Sequence, residues 1–212
     1  MGISSKLYTF LNLIYRLAII NLLWLCFTVI GLILFGFFPA TVAMFTVIRK
    51  EVLKEDMPIF QTFWSTYKQE FLKSNLLGLI LVVIGYILYI DIVFLKYISG
   101  AIQILYIPVL IMCIVYILML LYIFPVYVHY HVTIAQVIKN AFLMMVLYPI
   151  ITFLMIIFGL VVSYIMFKIP SSIIFFSGSI ISYIIMWCAN IAFQKNTEKL
   201  EKKAESLSTD HQ

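Results

Sequence analysis

Charge is what this sequence has least of. Only 11% of its 212 residues are Asp, Glu, Lys or Arg, against about 25% in an ordinary soluble domain, while 65% are apolar. Fourteen basic and nine acidic side chains cannot cover a water-facing surface of this size, so most of the outer surface is expected to face lipid. Residues 17–48, 74–90, 97–138, 140–167 and 169–194 carry no Asp, Glu, Lys or Arg at all. Ion paths, proton relays and counter-charges for ionic substrates leave such residues at mid-membrane depth. Coupling to protons or sodium is therefore not expected, whereas passage of a neutral solute stays open. Asp91 sits near the end of its apolar run, close to Lys96, and reads as a boundary residue.

Other absences narrow the chemistry. The three cysteines, Cys26, Cys113 and Cys188, each lie inside an apolar run with no Cys-x-x-Cys spacing, which gives neither a disulfide framework nor a zinc site. Glycines are scattered through the apolar runs, so no Gly-rich phosphate loop exists. Ser171, Ser172, Ser177, Ser179 and Ser182 have no neighbouring His or carboxylate to activate a hydroxyl. The first apolar run is far longer than the roughly 7–15 residues of a signal peptide and is read as a retained span. No catalytic residue, metal site or cofactor is expected, and the chain is not expected to be an enzyme. Its basic excess flanks apolar runs instead of lining one helix face, which argues for membrane orientation and against nucleic acid.

Five runs reach the roughly 20 residues that a helix needs to cross the hydrocarbon core: Leu17–Phe38, Leu72–Phe94, Ile102–Phe124, Phe142–Phe167 and Ile173–Phe193. In Ile102–Phe124, 15 of 23 residues are Leu, Ile, Val or Phe. At about −0.3 to −0.6 kcal/mol each, insertion is strongly favoured, and only helices satisfy their backbone in lipid without an alternating barrel pattern. The expected fold is all-α: a polytopic transmembrane bundle of five long spans plus one short helix after Pro39. Residues 1–193 form a single membrane domain and 194–212 a charged tail. In that tail Leu200, Ala204 and Leu207 share one helical face, which suits either a solvated extension or a docking helix.

Between the first two runs, Asp56-Met57-Pro58 should break the chain ahead of a second, interfacial helix carrying Phe63, Trp64, Tyr67 and Phe71 on one face at headgroup level. Five simple crossings would put four Lys and Arg on one side and ten on the other. A hairpin turning at Gly36–Pro39, with Ala40–Ile48 as a short sixth crossing, makes the balance twelve to two. Either way the rule that positive loops stay inside places Arg49–Lys73, Pro125–Lys139 and the C-terminus in the cytoplasm. Thr62, Lys68, Phe71 and Leu72 repeat the spacing of Thr133, Lys139, Phe142 and Leu143, each set following a Phe-Pro pair. This is a weak echo of an internal repeat.

The uncharged polar residues Asn21, Trp24, Asn75, Gln103 and Asn190 either join helices or line a site for a polyhydroxylated ligand. Gly159/Ser163 and Gly178/Ser182, each four apart, suit a close contact between the fourth and fifth spans. His129 and His131, two apart, point away from each other on a helix and do not share a metal in the way His residues four apart do. With Arg49, Lys50, Trp64, Lys68 and Lys139 they make up a candidate face for a partner or for lipid headgroups. Pro108 and Pro149 fall inside spans and should kink them.

Six motifs in order, Asn21-Leu22-Leu23-Trp24, Phe38-Pro39-Ala40-Thr41, Ile48-Arg49-Lys50, Thr62-Phe63-Trp64, Asn75-Leu76-Leu77-Gly78 and Phe124-Pro125-Val126-Tyr127, resemble the YesL family of bacterial integral membrane proteins. That family is defined by a domain of unknown function, and the likeness covers nearly the whole chain. It implies a multi-pass protein of the bacterial cell membrane. Because members are often encoded near sugar-uptake ABC transporters and polysaccharide-degrading enzymes, it further implies a non-enzymatic accessory or regulatory role in carbohydrate uptake. The implied partners are the lipid bilayer and sugar ABC transporter or sensor subunits. It brings no catalytic residues. The competing expectation is an uncoupled carrier or channel for a neutral solute, built around Asn21, Asn75 and the third and fourth spans.

Overall fold

The computed structural model describes residues 3–97, 104–130 and 132–209, which contain eight helices and no strand. In chain order these are α1 (Ile3–Ile30), α2 (Leu34–Val52), α3 (Ile59–Gln69), α4 (Phe71–Tyr97), α5 (Tyr106–Tyr130), α6 (Ile134–Leu147), α7 (Pro149–Lys168) and α8 (Pro170–Thr209). Five stretches are long and apolar enough to cross a membrane: Lys6–Ile30, Phe71–Tyr97, Tyr106–Tyr130, Pro149–Lys168 and Ser172–Lys202. They keep large apolar side chains such as Leu79, Ile107, Ile150 and Leu160 exposed, as a lipid-facing surface requires. The all-α bundle with five long apolar helices is thus present.

The first run does not form one helix over Leu17–Phe38. The chain turns at Gly31-Leu32-Ile33 and α2 returns antiparallel to α1, bringing Arg16 to 2.7 Å from Glu51. This is the hairpin alternative, with its turn five residues earlier than Gly36. The physical reason lies in Gly31 and Gly36. A Cβ on Gly36 would lie 2.8 Å from the Phe27 carbonyl oxygen and closer still to that of Thr28, so only glycine lets the two backbones meet. Leu32 and Ile33 take positive φ of 59° and 64°, a conformation costly for side chains with a Cβ.

Helix α2 is the hub. Seven consecutive residues, Pro39 to Phe45, are buried, so the helix is covered on every side, by α1, α3, α4, α5 and α8. It begins against the first turns of α4, where Asn75 reaches Phe35. It ends beside α1 and α8, where Glu51 meets Arg16 and lies near Tyr183. The short helix after Pro39 therefore starts before it, and Pro39 sits inside α2.

The expected break at Asp56-Met57-Pro58 is there, between Val52 and Ile59. The aromatic face of α3 packs on protein, however. Phe63 and Tyr67 are buried, and Phe27 of α1 packs within 5.3 Å of the rings of Phe63, Trp64 and Tyr67. The hairpin supplies a protein partner that a simple crossing would have carried away.

Prolines act elsewhere than expected. Pro108 falls in the first turn of α5, where it costs no hydrogen bond. Pro149 is the first residue of α7 and separates it from α6. Pro39 and Pro125 are the interior prolines. The repeat echo survives in outline: each interior proline lies in a helix followed by a short one, α3 or α6, and then a long one, α4 or α7. Its register does not hold, since Thr133 precedes α6 and bonds Gln136 through its backbone N–H, whereas Thr62 lies within α3.

Helix α8 is continuous from Pro170 to Thr209, about 60 Å at 1.5 Å per residue and twice the hydrocarbon thickness of about 30 Å. The charged tail thus extends the last span as a helix. The two glycines expected between it and α7 do not lie in that contact. Gly178 faces Asn21 and Trp24 of α1, and a Cβ on Gly159 would meet nothing within 4 Å. Helices α7 and α8 do pack against each other, with an apolar cleft between them lined by bulky residues such as Ile165, Met166, Phe176 and Ile180.

Candidate functional site

Three of the motifs that carry the family resemblance meet around the N-terminal half of α2. Proline at 39 has no N–H, so the Phe35 carbonyl four residues earlier lacks its helical donor. Asn75 supplies one: its Nδ2 donates to Phe35 O at 3.0 Å and to Phe71 O at 2.8 Å. One turn along α4, Gly78 lies directly beneath the Phe38 ring, in the space a Cβ would fill. From the other side, Trp24 Nε1 donates to Thr41 Oγ1 at 3.1 Å, and that hydroxyl donates to Phe37 O at 2.6 Å. Three short motifs, on α1, α2 and α4, thus form one bracing cluster at the proline.

Asn21 performs a similar task on α8. Fully buried, it donates from Nδ2 to Ile174 O at 2.7 Å, while its Oδ1 accepts Gly178 N–H at 2.9 Å and Ser179 N–H at 3.0 Å. Residues 174 and 178 are the pair that an α-helix joins directly, so the amide engages both ends of one rung. Asn21, Trp24 and Asn75 do not converge on a cavity; their polar atoms hold α1, α2, α4 and α8 together.

The candidate partner face divides. Trp64 and Lys68 stay on the surface of α3, with Lys68 Nζ 4.2 Å from the Trp64 ring centroid and Trp64 37% exposed. They gather near Phe27, towards the tip of the hairpin. Arg49 and Lys50 lie in the last turn of α2, about 22 Å along that helix from Leu34. Lys139 is exposed on α6. His131 and Gln103 lie outside the described residues. His129 stacks on Phe193 of α8 at 4.3 Å and meets Tyr130 edge-on at 4.6 Å.

Two features escaped the sequence reading. At the α3–α4 junction, Glu70 accepts the Tyr127 hydroxyl at 2.5 Å, with Lys73 over the Tyr127 ring, tying α4 to the end of α5. Nearby, burial pushes the Tyr67 phenol above its ordinary range, which keeps it a neutral donor to Phe27 O at 3.2 Å. The second is a cleft of about 280 Å³ between α5 and α8, lined by His129, Asn190, Phe193, Gln194, Thr197 and Glu198. A smaller one of about 160 Å³, lined by Tyr130, Asn140, Leu143, Met144 and Asn196, flanks α8 beside it. The density of amides in 190–196 was the available signal.

A family model described as "Protein of unknown function, DUF624" matches residues 17–92, from the first span through the bracing cluster. Three Bacillus subtilis (strain 168) proteins are similar over most of their length. "Uncharacterized protein YteU" is 38% identical over 87% of this chain and 84% of its own, and "Uncharacterized protein YesV" is 35% identical over 91% and 94%. "Uncharacterized protein YesL" is 32% identical over 95% and 96%. No solved structure matches the chain. At such identity over such coverage, this helical protein belongs to the YesL-like DUF624 family.

Proposed function

We propose that the protein is a non-enzymatic accessory or regulatory component of a bacterial cell-membrane assembly for carbohydrate uptake, associating with sugar ABC transporter or sensor subunits. The observation that carries this reading is the division of its polar groups. Asn21, Trp24 and Asn75, the uncharged polar residues expected at a solute path, are engaged in holding helices together. Exposed polar groups instead lie outside the packed core, in the Trp64–Lys68 pair and along the α8 extension. An exposed Trp under a cation is a common anchor for a partner.

In this reading the C-terminus, Arg49–Lys73 and Pro125–Lys139 face the cytoplasm, following the excess of Lys and Arg there. The N-terminus joins them, because the hairpin returns Glu51 to Arg16. The test is gentle-detergent purification of the tagged protein from native membranes, with and without oligosaccharide in the growth medium, followed by mass spectrometry of bound proteins. Recovery of a transporter or sensor subunit that is lost when Trp64 and Lys68 are both replaced by Ala is the expected result. Recovery of the protein alone under both conditions contradicts the reading.

A further inference from the structure

The last apolar residue before the charged extension of α8 is Phe193, and on either side of it the helix borders a cleft. Besides Asn196 in the smaller cleft, three amides line these clefts, Asn190 and Gln194 in the larger and Asn140 in the smaller. None of the three is hydrogen-bonded within the described residues. Asn196 lies beside Tyr130, and Thr197 donates to Phe193 O at 3.1 Å, which leaves its oxygen able to accept. The lining contains one formal charge, Glu198. Lys199, one residue on, is turned to the Tyr148 ring at 5.1 Å.

This chemistry selects its ligand class. An amide donates and accepts at once, so a set of unbonded amides matches groups that also do both, which hydroxyls do. A phosphate is chiefly an acceptor, and its negative charge would meet the Glu198 carboxylate. A simple cation would find one exposed carboxylate and no closed shell of oxygens. We propose that the α5–α8 cleft binds a neutral polyhydroxylated group through Asn190, Gln194, Thr197 and Glu198, with Asn140 serving the adjoining smaller cleft. The shared chemistry fits two sources, the sugar headgroup of a glycolipid or a free oligosaccharide. The site is read from its lining alone and requires no partner protein, so it stands or falls separately from the association with an uptake system.

The test uses the full chain purified into phosphatidylcholine nanodiscs. One arm incorporates diglucosyl-diacylglycerol and reads its enrichment around the protein by native mass spectrometry. The other titrates maltotriose and reads saturation-transfer NMR, with sodium phosphate and choline chloride as competitors. Binding in either arm, weakened at least tenfold in the Asn190→Ala/Gln194→Ala variant and unaffected by both competitors, is expected. Glycolipid enrichment alone assigns the lipid source, and maltotriose saturation assigns the free one. A variant of unchanged thermal midpoint that binds as well as the parent overturns the proposal, as does silence in both arms or displacement by phosphate. Lys195→Ala, outside the cleft, controls for general effects on α8.

Discussion

Asn21 of α1 holds Gly178 of α8 by accepting its backbone N–H at 2.9 Å, while donating to the carbonyl of Ile174 one turn earlier. The same device recurs at α2, where Asn75 completes the rung that Pro39 leaves open at Phe35. Two amides from neighbouring helices thereby repair or clamp two helix ladders.

Replacing Asn21 by Leu removes three hydrogen bonds from a fully buried site. Each group left unpaired costs about 1–3 kcal/mol, though alternative partners within membranes reduce such losses. A net loss of about 2 kcal/mol is expected, seen as a lower thermal midpoint in detergent. Gly178→Ala, whose Cβ would stand 3.1 Å from Asn21 Oδ1, should lose less. The double change should fall short of the sum, since both act on one contact. Strict additivity would show that the clamp is not formed.

At the hairpin turn, Ile33 adopts positive φ of 64°. Ile33→Gly should remove steric strain of about 1–2 kcal/mol and raise the thermal midpoint. Gly36→Ala should abolish accumulation of folded protein, because the new Cβ would collide with the Thr28 and Phe27 carbonyls. Equal yields of the two variants would contradict the turn.

The Arg16–Glu51 pair is mostly covered, with side chains 21% and 16% exposed. Glu51→Gln leaves Arg16 without its counter-charge and should cost about 1–3 kcal/mol, less than for a fully buried pair. Swapping the residues, Arg16→Glu with Glu51→Arg, should recover part of that loss in thermal-unfolding assays. No recovery would argue that the helix ends are not neighbours.

Tyr127→Phe removes a hydrogen bond to the Glu70 carboxylate. Bonds to charged groups contribute about 1.5–3 kcal/mol, so this variant should unfold earlier than Tyr164→Phe, on the exposed face of α7. Similar midpoints for the two would remove Glu70 from the α4–α5 junction.

Helix type and the long apolar elements were legible because hydropathy dominates insertion and because Asp56-Met57-Pro58 is an unambiguous break. The fate of Leu17–Phe38 was not. Its apolar pattern is continuous across Gly31, and only the backbone approach of Gly31 to Gly36 shows why it folds back. Asn21, Trp24 and Asn75 could be named from sequence as buried polar groups, but their partners are backbone carbonyls and N–H groups, which carry no sequence signal. The α5–α8 cleft stayed hidden for a related reason, as it joins His129 to residues about 60 positions later.

The fold depends most on α2 doubling back to lie inside the bundle, and cysteine labelling tests this directly. In a background with Cys26, Cys113 and Cys188 replaced by Ser, single cysteines at Lys6 and Lys54 would be probed with a membrane-impermeant maleimide in right-side-out and inverted vesicles. Labelling of both positions only in inverted vesicles is the predicted result. Labelling of the two positions from opposite sides would mean that residues 17–38 cross as one span, and would contradict the hairpin and the bracing of α2 built upon it.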